Sequence, residues 1–185
     1  MKKKSLALVL ALAMIVVCVV GGTLAWLTDK TAPVTNTFTY GDINIKLAET
    51  TGTSYKMIPG YTIDKNPKVT VLADSEKCYL FVKVEKSTNF GTFMTYDMAD
   101  GWTALTGVNG VFYRVVDTAD MGTAYSVLAN DKVTVKDTVT KADMDGLKAN
   151  VATQPTLTFT AYAVQLNENN TTEFTPAQAW AKVYP

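Results

Sequence analysis

No histidine occurs among the 185 residues. That absence removes the commonest general base and the commonest metal ligand from the chain. Cysteine is nearly absent too, with two residues, Cys18 and Cys78. One cysteine cannot build a zinc site, so metal ligation would fall to carboxylates and carbonyls. Neither sign of charge is in excess, with 17 basic against 17 acidic residues. No basic excess points to nucleic acid or to an anionic membrane surface. Proline-rich linkers, internal repeats and low-complexity tracts are not found.

What is present begins with an export signal. Met1 is followed by Lys2, Lys3 and Lys4, then by an uncharged apolar run over residues 5–20 that Gly21 and Gly22 break. Thr23 and Ala25 place small residues where a signal peptidase reads them, so cleavage is expected after Ala25, making residues 1–25 a signal peptide. The competing reading is an uncleaved anchor, because residues 5–27 carry no charge and are long enough to span a bilayer. Cleavage removes three lysines and Cys18, leaving 14 basic against 17 acidic residues, a net charge of −3, and Cys78 as the only thiol. An exported domain with one cysteine has no internal disulfide, so its stability must come from its core. Cys78, within "KCYLFVKVEK", reads as a small buried hydrophobe.

The remainder, residues 26–185, is rich in threonine, valine and tyrosine in short alternating runs. Strands are expected over residues 35–47 with Gly41 and Asp42 as a bulge, and in "KVTVLA", "CYLFVKVEK", "GVFYRVVD" and "DKVTVKDTV". "TLTFTAYAVQL" is expected to be the longest, a central strand because both of its faces are partly apolar. Helix is scarce. Residues 140–151 hold one or two turns, and "TPAQAWAKV" has Thr175 as N-cap and Pro176 at the first helical position. Seven to nine short strands with turn signals between them give an all-β, jelly-roll-like β-sandwich with short peripheral helices. The long segment "STNFGTFMTYDMADGW" suits a crossover between sheets.

No catalytic constellation emerges. The serines have no histidine to activate them and none lies in G-x-S-x-G. Asp97–Gly101 and Asp143–Gly146 echo calcium loops without completing the pattern, and read as solvated turns. Trp26, Trp102 and Trp180 are assigned core or anchoring roles in preference to sugar stacking. Asn169 and Asn170 begin N-x-T sequons in what should be an exposed loop. The expectation is a non-enzyme with no cofactor and no metal.

The stretch "GGTLAWLTDKTAPVTNTFTYGDINIKL" resembles the N-terminus of the TasA/camelysin family. Gly22, Thr23, Ala25, Leu27, Thr28 and Asp29 match one half of that pattern, and Asn36, Thr37, Phe38, Gly41 and Ile43 the other. "IPGYTIDKNPKVTV" resembles the family's PGD-type turn, with Tyr61 where aspartate is usual. "CYLFVKVE" and "FTAYAVQ…AQAWAKV" resemble a family strand and ending, whereas residues 88–152 add little. The resemblance implies processing by the dedicated signal peptidase SipW and secretion. It also implies assembly with copies of itself, and with related matrix or anchoring proteins, into extracellular biofilm-matrix fibres. In such fibres the mature N-terminal segment of one subunit inserts as a donor strand into the sheet of the next. Residues 27–40 are then the donor segment, with Leu27, Ala32, Val34 and Phe38 as its apolar face. Pro33 suits an edge or an entry point. Camelysin relatives are also described as metallopeptidases, but without histidine there is no H-E-x-x-H here. The alternative to a fibre subunit is a cell-surface binding or adhesion module displayed on an uncleaved anchor.

Overall fold

The computed structural model describes residues 41–184. These form antiparallel sheets with a few short helices, an all-β fold. The expected signal peptide, the cleavage site at Ala25 and the segment bearing Leu27, Ala32, Val34 and Phe38 lie outside the described residues.

The strands are β1 (Ile45–Ala48), β2 (Thr62–Asp64), β3 (Lys68–Val71), β4 (Cys78–Lys86), β5 (Met94–Thr95), β6 (Thr103–Ala104), β7 (Val111–Val116), β8 (Ala124–Ser126), β9 (Lys132–Val135) and β10 (Leu157–Gln165). The helices are α1 (Phe90–Phe93), α2 (Lys141–Ala149) and α3 (Pro176–Val183). One sheet has the order β10-β4-β7-β6, and two three-stranded sheets are β1-β3-β8 and β2-β9-β5. The two small sheets run into each other. Lys65 N donates to Asp131 O at 2.8 Å and Val127 N to Pro67 O at 2.9 Å, so β2 leads into β3 beside β8 leading into β9. The 87–102 segment leaves β4 through α1 and crosses to the sheet of β5 and β9.

β4 explains the core. Its even residues Cys78, Leu80, Val82 and Val84 pack with Val69 and Val71 of β3, Val116 of the neighbouring β7, and Val127. Its odd residues Tyr79 and Phe81 pack with Val111, Val164, Phe174 and Trp180 beneath α3. The strand is therefore buried on both faces until Lys83 and Glu85 emerge, the alternation expected of its tail. α3 is held as its sequence requires. Thr175 Oγ1 accepts from Gln178 N at 3.3 Å, the Gln178 side chain accepts from Thr175 N at 2.9 Å, and Pro176 opens the helix. Trp180 lies 5.3 Å from the Phe81 ring and 5.2 Å from Tyr162, pinning the helix to the sheet. Gly110 makes the turn into β7 at φ 74°, where any Cβ would stand 2.6 Å from Val84 O.

Three expectations are corrected. Among the described residues β10 is an outer strand of its sheet, and at nine residues it equals β4 in length. Its two apolar faces arise because α3 covers one while Phe159, Ala161 and Ala163 pack into the inter-sheet core on the other. Within the described part of residues 35–47, the ladder begins only at Ile45, and Gly41 and Asp42 form no bulge in it, because the partner β3 is four residues long. Asp143 is not in a solvated turn. It closes a capping box with Thr140 at the start of α2.

Candidate functional site: an open sheet edge above a groove

Hydrogen-bond phase identifies which residues of β10 face away from β4. Ser87 N donates to Thr156 O at 3.1 Å and Leu166 N to Lys77 O at 3.0 Å, both in the register that pairs β10 with β4. In an antiparallel ladder such pairs alternate, so Thr158, Thr160, Tyr162 and Val164 also turn their main-chain groups toward β4. Leu157, Phe159, Ala161 and Ala163 turn theirs the other way. Among the described residues those N–H and C=O groups have no partner.

β1 borders this edge and is itself an outer strand among the described residues. Leu72 N donates to Asn44 O at 2.8 Å, which puts Lys46 and Ala48 in the ladder to β3 and leaves the main-chain groups of Ile45 and Leu47 facing away. β1 comes within 8 Å of β10, measured between Cα atoms, without pairing to it.

Two cavities open beside the Leu157 end of the edge. The smaller, about 300 Å³, lies between Leu47, Ala48 and Glu49 on one side and Leu157, Thr158 and Phe159 on the other. The larger, about 630 Å³, extends under α2 and is lined by Met57, Ile63, Met94, Met144, Leu147 and Leu157. Thr53, Lys65, Leu157 and Thr158 line both, so the groove is continuous.

Lys65 stands where the cavities meet, with only 9% of its surface exposed. Its ammonium bonds both Glu49 oxygens, at 2.9 and 3.0 Å, and lies 5.1 Å from the Tyr55 ring centre and 5.6 Å from that of Phe159. Tyr55 Oη donates to the same carboxylate at 2.7 Å and Thr51 Oγ1 at 3.0 Å. Burial pushes the Glu49 carboxyl up, but the hydrogen bonds from Lys65, Tyr55 and Thr51 and the charge of Lys65 together hold it below its ordinary value of 4.5. A carboxyl lowered in the fold stabilises it above the unfolded pKa, and that contribution fades as pH falls through the folded value. Stability is therefore expected to decline as pH drops below about 4.5, and less so in Glu49→Gln, when melting temperatures are compared across pH 3–7. Lys65→Met should destabilise at neutral pH by roughly 2–3 kcal/mol, since it strands a half-buried carboxylate.

Sequence reasoning missed Lys65 and Glu49 because a lone lysine in "IDKNP" reads as a solvated turn and its partner lies 16 residues away. Other singled-out residues within the described part have structural roles. Cys78 is fully buried, and burial pushes its thiol up to about 11, so it is an inert core side chain. Trp102 Nε1 donates to Ser126 O at 2.8 Å. Asp145 pairs with Lys141 at 2.5 Å, and Asn169 caps its own exposed loop by accepting from Thr171 N and Thr172 N, each at 3.0 Å. Among the described residues no three acidic or cysteine side chains gather as a metal site would need, and no helix is long and apolar enough to cross a membrane. No family model, curated protein or solved structure matches this chain.

Proposed function

We propose that this chain is a secreted structural subunit that builds extracellular matrix fibres by head-to-tail strand donation. The observation that carries this reading is the outward row of main-chain groups on Leu157, Phe159, Ala161 and Ala163, beside a groove, on a strand whose side chains are already packed on both faces. Strand addition uses main-chain hydrogen bonds for affinity and alternate side chains for specificity, which is what such an edge and groove provide. The donor is residues 27–40 of the preceding subunit, freed by cleavage after Ala25. The sandwich is jelly-roll-like on this reading, and the donated strand extends the sheet of β10. A donor at one end and an acceptor along another edge make a contact that does not close, so it propagates as a filament.

Acceptance has a mechanical requirement. Neighbouring strands stand about 4.8 Å apart, so a strand between β10 and β1 needs roughly 9.6 Å. Part of β1 is nearer than that and must move outward. Its four residues and its exposed Lys46 and Leu47 make this a small rearrangement.

Deleting residues 27–34 from the mature protein is expected to abolish filaments in negative-stain micrographs while the circular dichroism spectrum stays that of the folded domain. Filaments of unchanged number and form would remove the donor segment from the account.

A further inference from the structure

Resting on that reading, we propose that Trp26, made the first residue of the mature chain by cleavage after Ala25, is the side chain that fills the α2-capped cavity of the next subunit, with the donated strand running parallel to β10. The occupant of the groove is thus the mature N-terminus of a second copy.

Four observations converge. First, the cavity needs a large apolar side chain. At about 630 Å³ and lined by Met57, Met94 and Met144 among its apolar walls, it is too roomy for an alanine or valine to fill. Methionine sulfurs make favourable contacts with aromatic rings and adapt to their shape. Second, strand parity selects Trp26. Side chains two apart share a face, so Ala32, Val34 and Phe38 share theirs with Trp26. Leu27 falls on the opposite face, which corrects its grouping with the other three. Lys30 is the one charge on the Trp26 face over residues 26–38.

Third, the groove leads there. The lining shared through Thr53, Lys65, Leu157 and Thr158 carries a strand on the open edge directly into the cavity. Ser54, Gln154 and Thr158 are among the polar lining groups able to accept from the indole N–H and the terminal ammonium.

Fourth, the point where the chain leaves its own domain sets the direction. Glu76 N donates to Asp42 O at 2.9 Å, fixing Gly41 and Asp42 beside the start of β4. The donor's C-terminal end is therefore tied to its own domain. An antiparallel donor would put Phe38 in the cavity, leaving only about 10 Å of chain before Gly41. That length is no more than the diameter of one helix, so it leaves the donor domain little room beside α2. A parallel donor puts the free end in the cavity. About eight residues then run along β10, and residues 35–40, roughly 20 Å extended, span to the donor domain.

Two variants of the mature chain test this. Trp26→Ala should accept a donor normally but donate poorly, raising the concentration needed for filaments at least about tenfold. Met144→Trp fills the half-exposed side of the cavity, so it should donate normally but not accept. Each alone should remain monomeric by light scattering at wild-type assembly concentrations, with wild-type circular dichroism. Mixed in equal amounts, they should stop at a one-to-one dimer, because the only competent pair is the Met144→Trp N-terminus in the Trp26→Ala cavity. Trp26→Phe should restore most of the assembly lost in Trp26→Ala. Filaments from Trp26→Ala at the wild-type concentration, or from Met144→Trp alone, would overturn the anchor while leaving strand donation standing. A wild-type mature chain that forms no filaments at all would take down the underlying reading, and the anchor with it.

Discussion

Phe81→Ala is expected to lower the stability of the domain by roughly 3–5 kcal/mol, the range for truncating a fully buried aromatic. Phe81 has no exposed surface. Its ring centre lies 6.0 Å from Tyr79, 6.1 Å from Tyr113 and 5.3 Å from Trp180, so it joins β4, β7 and α3 in one cluster. Removing it leaves a cavity that rigid strands on either side cannot close, and loosens the seat of Trp180. With total stability of about 5–15 kcal/mol, the loss is a large share of what the fold has. The melting temperature should fall by about 10 °C or more. Val115→Ala, on the same sheet but 45% exposed, should change stability by no more than about 0.5 kcal/mol. Thermal melts of the three proteins at neutral pH measure both effects.

The second large effect separates folding from assembly by moving one residue along β10. Thr160 pairs with Lys83 in the ladder to β4, so Thr160→Pro deletes a bond inside the sheet and should cost roughly 3 kcal/mol. Ala161 points its N–H to the open edge. Ala161→Pro removes a donor that β4 never used, as proline on an edge strand is allowed to do, and should cost about 1 kcal/mol. It nevertheless places a ring where an added strand must bond. Ala161→Pro is therefore expected to stay folded and fail to polymerise, while still donating its own N-terminus to wild-type subunits. Urea melts give the first comparison and electron micrographs the second. Wild-type filament formation by folded Ala161→Pro would mean that the edge of β10 is not the acceptor.

How much of this was legible in the sequence depends on whether the signal was local. β4 and α3 were readable because their evidence is contiguous: alternation along "CYLFVKVEK", and a threonine, proline and glutamine in the first turn of "TPAQAWAKV". The outer position of β10 was not. A strand with apolar residues on both faces reads the same whether its edges are paired or open, since side chains report the faces and say nothing of the edges. The two-residue strand β6 carries too little pattern to be seen at all. The start of β1 was misjudged because ladder length is set by the partner β3, not by the alternation of β1 itself. The groove beside β10 is assembled from residues as distant as Glu49, Met94, Met144 and Leu157, and so long a separation in sequence leaves no local trace. The proposed donor segment lies outside the described residues, and its assignment rests on the sequence alone.

Amide hydrogen exchange along β10, compared between monomer and filament, tests the central claim most directly. Even-numbered amides, Thr158, Thr160 and Tyr162, bond to β4 and should be slow in both states. The amides of Leu157, Phe159, Ala161 and Ala163 should exchange quickly in the monomer. In the filament they should slow by about a hundredfold or more, as they gain partners on the donated strand. Odd-numbered amides that exchange at the same rate in monomer and filament would contradict strand addition at this edge.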